Sequence, residues 1–179
     1  MHKFQIHTIE TAPEHSRSAL RGLQKAFGFI PNAAATMAGN PMLINAFVGA
    51  FGSFAGGTLN DVEKQTLLLT NAVALKCHWT VAFHSTVASK VGVLADDVSA
   101  IRAGRLPSDA KLAALSALAK SLTEKRGHDA NIEVEKFVAA GYSPTQVLEV
   151  IAGVAISTMA ALTTNLANTP VEGPLQAQA

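Results

Sequence analysis

The chain has 179 residues and a formal net charge of +1, from 14 Lys and Arg against 13 Asp and Glu. The basic residues are scattered, with no run or stripe that could neutralise a row of phosphates, which argues against a nucleic-acid partner. Apolar residues make up 49% and charged residues only 15%, too little charge to cover a small monomer, so part of the surface is expected to be buried against further copies of the chain.

One domain is the default at this length. Val, Ile and Thr recur at helical spacing rather than in alternation with polar residues, so the fold class is all-α. The amino-terminal segment lacks the apolar centre of a secretory signal, and no run of about 18 uninterrupted apolar residues occurs, so the expectation is a cytoplasmic protein with no membrane partner. An irregular arm covers residues 1–12. A helix is predicted from Glu14 to Phe27, ended by the turn GFIPN, where Pro31 bars helical geometry in the residue before it. Another is predicted from Pro41 to Phe54, broken by Gly56 and Gly57. Asn60, with Glu63 three positions on, has the pattern of a capping box. From there no glycine or proline occurs before Gly92, so periodicity permits one long helix, while length favours two. A short helix follows in LADDVSAIRAG, then helices over Ser108 to Lys125, Asp129 to Ala139 and Ser143 to Asn165, the last opened by Ser143, Pro144 and Gln146. The end, residues 169–179, reads as extended and mobile. A weak echo relates Gly92–Gly104 to Gly141–Gly153; it fits two copies of a helical unit and equally two ordinary amphipathic turns.

Chemistry concentrates in CHWTVAFH, Cys77 to His84, which holds the only cysteine and the only tryptophan. On a helix Cys77 and His84 share one stripe about two turns apart, while Thr80, four residues before His84, touches it. A helix amino terminus stabilises a thiolate, but thiol peroxidase chemistry also needs a second thiol to resolve the sulfenic acid. The chain has no second thiol. Beside these readings stand plainer ones: Cys77 as a small buried hydrophobe, and His84 as a hydrogen-bonded core residue. The other histidines, His2, His7, His15, His78 and His128, show no metal spacing, and His78 and His84 diverge by about 120° on one helix. No metal and no cofactor is assigned.

The segments FGFIPN, NPMLINAF, LNDVEKQTLLLTNAVALKCHWTVAFHSTVASKVGV, ADDVSAIRAG, AAGYSPTQVLEVIAGVA and TTNLANTP together resemble the alkylhydroperoxidase D and carboxymuconolactone decarboxylase family, in its peroxidase-related branch. The resemblance covers roughly residues 25–170 and is most specific over the core 59–93. It implies an AhpD-like helical bundle, and homo-oligomers such as trimers or hexamers. In the family pattern a glutamate precedes the first cysteine of a CxxC by twelve residues and a histidine follows that cysteine by seven. Carried onto this sequence, the first cysteine is Cys77, the second cysteine position is Thr80, the histidine is His84 and the glutamate position is Gln65. The attacking thiol and the relay carboxylate of the family are therefore both replaced. Glu63 is no substitute, since two residues of offset turn it about 160° away and its capping-box place favours a structural role. Gln65 and Cys77 lie about 120° apart on a continuous helix, so the shared site requires a break near Lys76. Trp79 and Phe83 are candidates for the pocket wall.

Three functions stay open on the sequence. One is a single-cysteine, peroxiredoxin-like alkylhydroperoxidase using Cys77 and an external thiol reductant. Another is a lyase or proton-transfer enzyme acting on a small carbonyl or lactone, with His84 as base or acid and Thr80 and Gln65 orienting it. The third is a non-catalytic oligomer that binds a small-molecule ligand.

Overall fold

The computed structural model describes residues 4–178, with side chains through residue 176; His2 and Ala179 lie outside the described residues. Nine α-helices occur among them: α1 Glu14–Phe27, α2 Asn32–Met37, α3 Pro41–Ala55, α4 Asp61–Ala74, α5 His78–Val91, α6 Ala95–Arg102, α7 Ala110–Lys125, α8 Asn131–Ala139 and α9 Gln146–Ala167. No strand is present among the described residues.

Helix α4 is the centre of the bundle. It packs against α5, α6, α7 and α9, and most of its length is buried, including Leu67, Leu68 and Leu69. Its start is fixed by reciprocal bonds: Asn60 Oδ1 accepts from Glu63 N and Glu63 Oε2 accepts from Asn60 N, each at 2.9 Å. Both satisfy backbone donors that a helix start leaves open. Lys111 then pairs with the other oxygen of Glu63 at 2.9 Å, which commits that carboxylate to structure. Helix α9 lies against α2, α3, α4, α5 and α7, although by length and composition alone it could cross a membrane. At Gly153 it passes α4 without room for a side chain, since a Cβ there would stand 2.5 Å from Leu67 Cδ2.

The break required near Lys76 is present, and its geometry is specific. Helix α4 ends at Ala74 and α5 begins at His78, with Lys76 between them at φ 51°. Lys76 N donates to Val73 O and Cys77 N donates to Ala72 O, both at 3.0 Å, the pair of bonds that closes a Schellman motif. The left-handed position of that motif ordinarily holds glycine, because a Cβ there is strained. Here it holds lysine, so the sequence carries no glycine to mark the break.

Several boundaries differ from the sequence reading. The six-residue α2 was not expected; its run of small residues after Pro31 buries Ala33, Ala34, Ala35 and Met37. Helix α7 starts at Ala110, because Asp109 Oδ1 caps Leu112 N at 2.9 Å, and α8 starts at Asn131. Ser143 and Gln146 make both expected reciprocal bonds, yet regular α-geometry begins only at Gln146. The segments of the internal echo become unequal helices of 8 and 22 residues. The end of the chain is not extended. Gly173–Gln178 form a 3-10 helix against α5, anchored by Leu175, which is buried beside Cys77, Trp79 and Phe83.

The strained lysine yields a stability prediction. Lys76→Gly relieves a left-handed Cβ penalty of about 1–2 kcal/mol against an unfolded-state cost of about 0.5–1 kcal/mol, so chemical denaturation is expected to show a net gain near 0.5–1 kcal/mol. A β-branched residue at the same place, Lys76→Ile, is expected to lower stability.

Candidate functional site

The break folds α5 back along α4 and brings two side chains together that are 19 residues apart. His84 Nδ1 lies 3.0 Å from Gln65 Oε1. An amide oxygen only accepts, so Nδ1 carries the ring hydrogen and Nε2 carries the lone pair. Nε2 makes no hydrogen bond among the described residues. The ring is 7% exposed, and burial pushes its pKa down to about 4. At neutral pH His84 is an uncharged acceptor.

One turn earlier on α5, Thr80 is 2% exposed, and its hydroxyl donates to Cys77 O at 3.2 Å. Thr80 and His84 line one small cavity of about 40 Å³. Its walls come from α1, α2, α3, α4, α5 and α9, and they are largely apolar: Phe27, Phe47, Phe51, Leu68, Ile156 and both residues expected from the sequence, Trp79 and Phe83, among them. The rings interlock, with Trp79 stacked on Phe83 at 5.1 Å between centroids and Phe27 meeting Phe83 edge-on at 5.4 Å. Gln65 is not part of the wall and acts on the cavity through the histidine.

Cys77 stands apart from this group. It is the N-cap residue of α5, fully buried, and absent from the cavity wall. Its Sγ lies 3.0 Å from Thr164 Oγ1, while the Thr164 hydroxyl donates to Ala160 O at 2.9 Å. With that hydrogen committed, the sulfur contact uses the proton of the thiol. Of the four positions carried over from the resemblance, the fold therefore gathers Gln65, Thr80 and His84 and leaves Cys77 behind the wall. Glu63 is turned away, held by Asn60 and Lys111.

Three contributors went unnoticed in the sequence. Thr164 holds the thiol, Ser157 lines the cavity, and Glu172 accepts from Trp79 Nε1 at 2.7 Å and from Asn32 N at 3.0 Å. Ser157 and Thr164 are seven apart and share a face of α9; that hydroxyl pair on an apolar helix was the available signal. Nothing local marks Glu172. Among the described residues no three His, Cys, Asp or Glu side chains gather as a metal site would require.

Comparison with known proteins agrees with this architecture. Residues 41–120 match the carboxymuconolactone decarboxylase family. A peroxidase-related protein from Silicibacter sp. TM1040 superposes with a TM-score of 0.82 at 13% identity, covering 98% of this chain and 95% of that one. The alkylhydroperoxidase AhpD core of a peroxidase-related protein from Ralstonia eutropha JMP134 gives 0.81 at 14%, covering 98% and 96%. The debrominase Bmp8 gives 0.78 at 21%, covering 92% and 90%; a cysteine-to-alanine form of it is in complex with 2,3,4-tribromopyrrole. No curated protein matches in sequence. The chain thus has the fold of the carboxymuconolactone decarboxylase and AhpD family, with the family match spanning α3 to most of α7.

The buried imidazole has a measurable signature. Its pKa is about 4 in the fold against an ordinary 6.5, so between those values the unfolded chain takes up a proton that the folded chain does not. The contribution of the neutral ring is complete above pH 6.5 and is lost as pH falls through 4, by on the order of 3 kcal/mol in total. Denaturation from pH 7 to 4 is expected to show that loss, reduced in His84→Leu. Nitrogen NMR should report Nδ1 protonated and Nε2 bare at pH 7.

Proposed function

We propose that this chain is a non-redox member of its family, which takes a small, largely apolar molecule into the pocket at His84 and holds it through Nε2 rather than reducing peroxides through a cysteine pair. The observation that carries the reading is where the hydrogens go. The thiol proton of Cys77 faces Thr164, the Thr80 hydroxyl faces Cys77 O, and Nδ1 of His84 faces Gln65. His84 Nε2 is left as an acceptor with an apolar cavity before it. A peroxidase needs a reachable thiolate and a resolving thiol; this chain has one cysteine, fully buried. That a debrominase of the same fold is found with 2,3,4-tribromopyrrole supports small-molecule binding in this fold.

A second reading is favoured by the Gln65 contact, which fixes the imidazole tautomer as a general base requires. His84 would then take a proton from a small carbonyl or lactone substrate, with Thr80 beside it. A pKa of about 4 makes it a weak base at neutral pH, which ranks binding above proton transfer. Self-association belongs to the same proposal. Helix α3 is apolar along most of its length yet buries only Ile44 and Phe54, and Met42, Leu148, Leu162 and Leu166 are exposed. A homo-oligomer, trimeric or hexameric, would cover them.

Trp79, the only tryptophan, stands in the pocket wall, so intrinsic fluorescence reads occupancy directly. A fragment screen should find ligands that change its emission and bind about tenfold more weakly to His84→Leu, as expected for one hydrogen bond lost in an apolar site. One equivalent of hydrogen peroxide with a sulfenic-acid trap should leave native Cys77 unlabelled; rapid labelling there would restore the single-cysteine peroxidase and end this reading. In sedimentation, Leu162→Glu with Leu166→Glu is expected to shift the protein toward monomer.

A further inference from the structure

The hydroxyls of α9 differ in one place. Thr158, Thr163 and Thr164 each donate to the carbonyl four residues back, at 2.8, 2.8 and 2.9 Å. Ser157, on the same helix and 5% exposed, makes no such bond. Among the described residues its one hydrogen bond is with Asn71 Nδ2 at 3.4 Å. Asn71 is fully buried, and its Oδ1 lies 2.8 Å from the Thr123 hydroxyl, the length of an O–H···O bond. The same hydroxyl lies 2.8 Å from Ala119 O, so its one hydrogen does not fix which end of the amide faces it; with the amide nitrogen toward Ser157, Ser157 Oγ is an acceptor there. With the amide reversed, 3.4 Å would still exceed an O–H···O bond. The Ser157 hydrogen therefore has no acceptor among the described residues, in a wall it shares with His84.

We infer that Ser157 is the second polar contact of the pocket, a donor working with the acceptor at His84, and that the ligand presents a neutral head that both donates and accepts, as an amide, a lactam or an alcohol does. This rests on the reading of the pocket as a small-molecule site. A ketone or ester answers Ser157 and leaves the His84 lone pair buried without a hydrogen. A carboxylate brings no hydrogen for Nε2 and carries a charge into an apolar site. The cavity of about 40 Å³ is well below the roughly 150 Å³ of a cavity that admits benzene, so only a head of a few heavy atoms enters the cavity as it stands.

The test uses three small probes on the full chain: acetamide, with donor and acceptor; acetone, with the acceptor alone; and xenon, which enters apolar cavities without hydrogen bonding. Binding is read by NMR titration against wild type, Ser157→Ala and His84→Leu. Wild type should favour acetamide over acetone by about fivefold, Ser157→Ala should weaken both about fivefold and leave xenon unchanged, and His84→Leu should weaken acetamide far more than acetone. If Ser157→Ala leaves acetamide and acetone where they were while His84→Leu still weakens acetamide, the role of Ser157 is wrong and the pocket reading stands. Equal loss of all three probes in Ser157→Ala makes the serine structural and also overturns the inference. If wild type binds none of them, the pocket reading itself falls.

Discussion

A single left-handed lysine controls what this molecule has for a site. With Lys76 at φ 51°, α4 stops, two backbone bonds close its end, and α5 returns along it. Gln65 and His84 then meet at 3.0 Å. Were the helix continuous, those two residues would be 19 positions and over 25 Å apart at about 1.5 Å per residue, and no pocket could include both effects. Burial of α4 by four neighbouring helices supplies the packing that holds the strained residue in place.

Much of this was written locally. The capping box at Asn60 and Glu63, the placement of Thr80 and His84 in one wall a turn apart, and the end of α1 follow from rules that span a few residues. The break did not, because lysine fills a position where glycine would have announced it; only the family resemblance, which asked Gln65 and Cys77 to share a site, located it, and the break brings Gln65 to His84 instead. The residues that went unseen share one property. Ser157, Thr164 and Glu172 act on partners 86, 87 and 93 positions away, and no short-range pattern encodes contacts of that reach. The compact end of the chain was missed for the same reason: its order comes from Leu175 settling beside Trp79 and Cys77, while its own composition reads as loose.

The residues at the positions carried over from the resemblance are mutually consistent. Gln65 puts no negative charge beside His84, and burial drives the ring neutral. The Thr80 hydroxyl is absorbed by the first turn of its own helix. The one sulfur is sealed against α9. Together they leave a small, largely apolar hollow with no charged side chain in its wall.

The grip of Glu172 on the indole of Trp79 means that the carboxyl-terminal segment is masonry of the chamber rather than a loose thread. A load on that segment would be felt at the indole itself, so Trp79 emission reports on the order of the carboxyl-terminal turn as well as on the pocket.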